Sequence, residues 1–477
     1  MAAAWCMLFK QSEKMKLTLR IVTAVALSLL ATHVLAANER KAFPGGPCHL
    51  YRLQLQDKAG SPFSLERPEE FLSMKSLERR RRQGLQLDST DLPVSQRYLG
   101  ELSQRGLRVV SKSKWNNTVV VALPQPDDLG QLRDIPFVTE VTHLFSAPDT
   151  VEVSQRDELM EQNLEKVPVD SRRQLTMLNL QRLHEAGYRG RGMTIAVLDG
   201  GFMNADRIPL LSNVRVVAHR DCVYPPSPEF FGELDHGTEV LSTMAMNRPD
   251  TMVGTAPEAQ YILIRTEDGR SESLAEEDWW AAAAEYADSI GVDMLNSSLG
   301  YHHFDRSLGD HPYRELDGRT SICSRSASLL AGKGMILVAS AGNEGLGSWK
   351  KINVPGDADN ILTVGAVNEQ CINTGFSSVG PSADGRVKPD IMAMGYHSAV
   401  VSGKGTLTTA NGTSFSSPIS CGAVACLWQS LPQLTAMQII GLVRSSADRY
   451  EYPDNVFGYG IPDYWKALEQ GRGIEGF

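Results

Sequence analysis

Hydrophobic and polar positions follow three successive patterns along the chain. Residues Ile21 to Ala31 form an apolar run, preceded by Met15-Lys16 and Arg20 and followed by Val34-Leu35-Ala36-Ala37. Charge, then apolar run, then small residues is the order of a secretory signal, expected over 1–37 with Met15 as an alternative start. The run is shorter than the ~20 apolar residues that span a bilayer. Leu50 to Leu55 then alternates as a strand, Pro93 is placed to open a helical stretch over Val94 to Leu107, Asn117 to Ala122 is β-branched, and Asp127 to Arg133 leads into Phe137 to Val141. Helices among short strands predict a small α+β domain over 38–150. Its Arg79 to Arg82 run, after the charged stretch from Glu66 to Glu78, reads as a solvated helix face.

The segment 151–174 is polar and aperiodic and is expected to be a linker. From 175 to 477 the pattern alternates between strand and helix. Strands are expected at Met193–Leu198, Tyr261–Ile264, Val292–Leu295, Met335–Ala339 and Ile361–Val367. Helices are expected at Gly237–Met246, Glu276–Ile290, Ser321–Ala331 and Ser414–Gln429. This is the signature of an α/β domain, a parallel sheet with helices on both faces.

Composition narrows the functional classes. The net charge is −9, and residues 151–477 hold 27 Lys and Arg against 41 Asp and Glu, while 38–150 is slightly basic. An acidic body repels phosphate backbones, which excludes nucleic acid as the expected partner. The seven Cys show no C-x-x-C pair and no framework spacing, so Cys421 and Cys426 are expected to be buried apolar side chains; bridges among the others stay open.

In open parallel sheets the chemistry gathers past the carboxyl ends of strands. Asp199 ends one strand and is followed by Gly200-Gly201; alone it suits a cap, a metal or a ribose as well as catalysis. A dinucleotide fingerprint is excluded, because Gly187, Gly190 and Gly192 precede the strand instead of following it. His236, in Asp235-His236-Gly237-Thr238-Glu239, stands where a helix begins. No H-E-x-x-H is present, and His302-His303 lacks metal-ligand partners. Ser414, in Asn411-Gly412-Thr413-Ser414-Phe415-Ser416-Ser417-Pro418, reads as an N-cap or as a nucleophile at a helix N-terminus, whose unpaired N–H groups stabilise a negative oxygen. Pro418 suits the first turn. Asn343, after Ala339-Ser340-Ala341-Gly342, reads as a turn residue or an amide donor.

The chain order Asp199, His236, Asn343, Ser414 with these local strings resembles the subtilisin-like (S8) serine proteases. The matching strings are Val-Leu-Asp-Gly-Gly, His-Gly-Thr, Ala-Gly-Asn-Glu-Gly and Gly-Thr-Ser-Phe-Ser-Ser-Pro. Asn296-Ser297-Ser298-Leu299-Gly300, Phe376-Ser377-Ser378-Val379-Gly380-Pro381 and Lys388-Pro389-Asp390 are similar to that family as well. The likeness covers about 175–470. One departure is Gly200, where many members place Ser or Thr.

The resemblance implies a three-layer parallel-sheet fold and a secreted or periplasmic endopeptidase made as a zymogen. Ser414 would be the nucleophile, His236 the base and Asp199 the acid, with Ser414 N–H and Asn343 as the oxyanion hole. Ser298, Leu299 and Gly300 would pair with an extended polypeptide substrate, and Tyr301 and Trp349 would lie near its pockets. The domain over 38–150 would be a propeptide, acting as intramolecular inhibitor and folding aid. No cofactor is required; calcium as a structural ion suits the acidic segment, although no ligand cluster is spelled out. No membrane-spanning segment is expected once the signal is removed. The alternatives are a catalytically silent relative that binds peptides in the same cleft, and an unrelated α/β binding protein.

Overall fold

The computed structural model describes residues 40–42, 48–126, 129–147, 150–152, 169–305 and 309–475. The signal-like run and most of the expected linker lie outside these residues.

The N-terminal domain runs β1 (His49–Leu55), α1 (Met74–Arg82), α2 (Gln96–Gln104), β2 (Arg108–Ser113), β3 (Thr118–Leu123), α3 (Leu129–Arg133), β4 (Val138–Ser146). Its four strands form one antiparallel sheet in the order β2-β3-β1-β4. Ser95, not Pro93, opens α2, its Oγ accepting the Tyr98 N–H. Alternation along β3 sends Val119 and Val121 to a core shared with Tyr98 and Leu102 of α2. Val120 points the other way, to a cluster containing Trp279 and Ala275 of the following domain. Both faces of this small sheet are therefore covered, and the second cover belongs to its neighbour.

That neighbour is built on β5 (Thr194–Asp199), β6 (Arg215–Asp221), α4 (His236–Ala245), β7 (Gln260–Arg265), α5 (Ala275–Ile290), β8 (Met294–Ser297), α6 (Ile322–Leu329), β9 (Ile336–Ser340), β10 (Leu362–Val367) and β11 (Ile391–Met394). A hairpin, β12 (Ser398–Val401) with β13 (Leu407–Ala410), leads to α7 (Thr413–Ser430), α8 (Ala436–Ser446) and α9 (Tyr464–Glu475). The seven-stranded sheet is parallel in the order β11-β10-β9-β8-β5-β7-β6. Ile195 and Val197 of β5 enter the core beneath α4 and α7, while Ala196 and Leu198 enter the core beneath α5 and α6. Such two-sided burial explains the unbroken apolar run of this strand. Strand order reverses at β5, so the crevice past Asp199 is the topological switch point, where open α/β sheets place their sites.

Two further expectations need correction. Arg79 and Arg80 of α1 are buried, not solvated, because they face Asp288 near the end of α5. Arg80 Nη2 donates to Asp288 at 3.0 Å and to Asp91 at 2.9 Å, and Lys114 Nζ reaches Asp288 at 3.3 Å. Burial opposes ionisation of Asp288, but Arg79, Lys114 and Arg80 outweigh it and hold the carboxyl below its ordinary range. Pro418 sits in the second turn of α7. Its missing N–H would have bonded the Ser414 carbonyl, and Ser298 Oγ donates to that oxygen instead, at 2.8 Å. Among the described cysteines none is bridged, and Cys421 and Cys426 are buried in α7.

A buried histidine supplies a pH test of this scaffold. His311 bonds Glu277 of α5 through Nε2 and Glu315 through Nδ1. Burial alone would push its pKa down, but the Glu277 charge, aided by Glu315, brings it up to about 9. A group raised from ~6.5 contributes stability that is complete below that value and is lost as pH climbs through the folded pKa. Urea unfolding of a Ser414→Ala chain should lose about 2–3 kcal/mol through this group between pH 7 and 10. His311→Gln should show less of that slope; an identical slope would contradict the assignment.

Candidate active site

Four strand or helix ends converge at the switch point. Asp199 closes β5 and is fully buried. Its Oδ1 accepts from the Gly200 N–H at 2.8 Å and faces His236 Nδ1 at 2.9 Å. His236 is the first residue of α4, and it comes this close because Gly237 has no side chain. A Cβ there would meet the Gly201 carbonyl at 2.4 Å and Asp199 Cβ at 2.9 Å. Of the two glycines after Asp199, Gly201 is equally forced, since a Cβ would stand 2.3 Å from the Glu233 carbonyl. Gly200 is not: its Cβ would meet Leu234 Cδ1 at 3.2 Å. No hydroxyl follows the acid there, and Asp199 Oδ2 is buried without a hydrogen-bond partner.

Ser414 is the second residue of α7, a position whose N–H has no acceptor within the helix. Its hydroxyl donates to the Ser298 carbonyl at 3.2 Å, beside the reciprocal Ser298 Oγ bond to the Ser414 carbonyl. Asn296 and Ser417 complete the lacing of β8 to α7: Ser417 Oγ donates to Asn296 Oδ1 at 2.9 Å, and Asn296 Nδ2 donates to Ser298 Oγ at 3.0 Å. The Asn-Ser-Ser string is thus the clamp that fixes the start of α7. Asn343 follows β9, and its Oδ1 accepts from Thr413 N at 2.9 Å and Thr413 Oγ1 at 3.0 Å. With the oxygen so engaged, the amide NH₂ is the end left to donate.

Asp199, His236, Ser298, Leu299, Gly300 and Ser414 line one cavity of about 220 Å³. Imidazole Nδ1 is taken by Asp199, so Nε2 is the ring nitrogen on the side away from the carboxylate, and the His236 ring lies 5.9 Å from that of Phe415, the neighbour of Ser414. Tyr301 and Trp349 do not line the cavity. Tyr301 is buried with its OH on Glu267, and Trp349 stacks on His302. Sequence reasoning missed the carboxylates Glu267, Asp268, Glu272 and Glu276, which do line it. The signal was present, because Glu267 and Asp268 stand just past the carboxyl end of β7, the same rule that singled out Asp199. Among the described residues no group of three or more His, Cys, Asp or Glu side chains is arranged to hold a metal ion.

Residues 190–460 match the model of the subtilase family, peptidase S8. The chain belongs to that family. It is a subtilisin-like serine endopeptidase, and residues 50–161 match the S8 propeptide domain of Bacteroidota. Subtilisin NAT of Bacillus subtilis subsp. natto is 26% identical over 361 residues, covering 75% of this chain and 82% of that one. Subtilisin DY of Bacillus licheniformis is 26% identical over 275 residues, 57% of this chain and 90% of its own. Among solved structures, the MycP3 protease from the type VII (ESX-3) secretion system matches 64% of this subtilase and 90% of its own chain. Its TM-score is 0.50 at 24% identity, which supports the fold.

Proposed function

We propose that this subtilase is secreted as a zymogen and hydrolyses polypeptides through a triad of Ser414, His236 and Asp199. The single observation that carries the reading is the 2.9 Å contact of His236 Nδ1 with a buried Asp199 in the cavity that Ser414 shares. Ser414 Oγ turns from the Ser298 carbonyl towards His236 Nε2, gives up its proton and attacks the scissile carbonyl. His236 then passes that proton to the leaving amine, and Asp199 holds the tautomer and stabilises the imidazolium. The Ser414 N–H and the Asn343 amide take the oxyanion, an electrostatic term that is commonly the largest in such reactions. Water hydrolyses the acyl-enzyme by the same steps in reverse order of proton transfer.

The N-terminal domain acts as inhibitor and folding aid until cleavage in or near 151–174 releases it. Its support is the matched propeptide family and the charged interface with α5. Passage out of the cytoplasm rests on the sequence of residues 1–37; among the described residues no helix is long and apolar enough to cross a membrane.

A fluorophosphonate probe should label Ser414 of the processed protein, with intact mass showing a chain short of about its first 150 residues. Heat-denatured protein should not label. An unlabelled native sample that still binds peptides would return the protein to the silent, peptide-binding reading.

A further inference from the structure

The cavity beside Ser414 is acidic to a degree that the triad does not use. Beyond Asp199 it is lined by Glu267, Asp268, Glu272 and Glu276, and no Lys or Arg among the described residues lines it. Hydrogen bonds and an ion pair fix several of these side chains in place. Glu276 accepts from the Asp268 and Ser273 N–H groups at the start of α5, and Asp268 pairs with Arg270 outside the cavity. Glu267 takes the Tyr301 hydroxyl on one oxygen. Burial first, and the charge of Glu272 next, hold the Glu267 and Glu276 carboxyls well above their ordinary range. An entering cation would draw these carboxyls towards their ionised forms and be held by them.

Shape and chemistry point to the kind of cation. At about 220 Å³ the cavity is below the roughly 300–1,000 Å³ of free small-molecule sites, and suits one side chain. No three of its carboxylates form a metal cage. Leu234 and Leu299 supply apolar wall, and the unpartnered, fully buried Asp199 Oδ2 belongs to a residue of the same lining. An aliphatic stem against leucine with a charged head among carboxylates is how Lys and Arg are accommodated.

We propose that this cavity is a substrate subsite for a Lys or Arg side chain on the N-terminal side of the scissile bond, with Glu267 and Glu272 as its specificity-determining residues. The side follows from Ser298–Gly300, the segment along which the substrate backbone is read to pair, which forms one wall. The inference rests on the proteolytic reading of Asp199, His236 and Ser414.

The test uses processed enzyme and fluorogenic peptides in which Lys or its uncharged analogue norleucine occupies each of four positions before the cleaved bond. At one position Lys should raise kcat/KM at least 10-fold over norleucine. That ratio should fall towards unity in Glu272→Gln and in Glu267→Gln, and return in Glu272→Asp. In the unaltered enzyme it should shrink at 1 M NaCl, where screening acts within about 3 Å, so the test does not hang on a variant folding. Hydrolysis with equal rates for Lys and norleucine at every position overturns the subsite alone, as does a preference that both glutamine variants keep. Absence of hydrolysis of every peptide and of casein overturns the proteolytic reading, and the subsite with it.

Discussion

Ser414→Ala is expected to lower peptide hydrolysis about 10⁶-fold in kcat, the loss that removal of the nucleophile carries in this family. The effect should be chemical and not structural. The hydroxyl makes one 3.2 Å bond to the Ser298 carbonyl, whereas the contact that replaces the missing Pro418 N–H uses the Ser414 backbone oxygen, which alanine retains. Alanine is also the best helix former for the first turn of α7. Unfolding curves of the two proteins should therefore nearly coincide while turnover collapses to what the oxyanion donors and substrate binding provide alone. If the propeptide is removed by the chain itself, the variant should also accumulate with its N-terminal domain uncut. Undiminished cleavage by a clean Ser414→Ala preparation would end the assignment.

The second large effect is expected at Asp288, far from the chemistry. This carboxylate is fully buried and faces Arg79 and Arg80 of α1 and Lys114 after β2, so three cations of the N-terminal domain converge on one anion of the catalytic domain. Truncating one partner of a buried charge cluster costs about 3–5 kcal/mol, because the remaining charges stay desolvated without compensation. Asp288→Ala should thus weaken the hold of the cleaved N-terminal domain by roughly 10²–10⁴-fold, at about 1.4 kcal/mol per decade. Gel filtration of processed protein should show the two pieces together in the parent and apart in the variant, with peptidase activity correspondingly unmasked. Arg79→Met, alone and combined with Asp288→Ala, closes a double-mutant cycle that separates the pair from any general loss of fold. Unchanged association in both single variants would remove the cluster from the account of inhibition. Glu285, which accepts the Lys114 and Trp115 N–H groups, and Asp278, which takes the Arg52 guanidinium, would then be the polar anchors to examine.

Local pattern was enough for much of the architecture. Apolar runs buried on both faces announced β5, β8, β9 and β10, and the helix α7 was legible from its length and uniformly apolar centre. The polar edge strand β6, the four-residue β11 and the hairpin of β12 and β13 carry too little periodicity to be read, since an edge strand is free to be polar and a short one has no repeat. Asp199, His236, Asn343 and Ser414 were each ambiguous alone and legible only as an ordered set of strings.

What the sequence determined by itself was the order of elements, the acidic character of the catalytic body and which four polar residues stand at element ends, because period and turn chemistry are short-range properties. Only the tertiary structure decided that Arg79 and Arg80 are interior, that Ser298 supplies the bond Pro418 lacks, and that Glu267 and Glu272 share a cavity with Ser414. Those depend on contacts between residues up to some two hundred positions apart, and no local pattern encodes which distant charge will come to face an arginine.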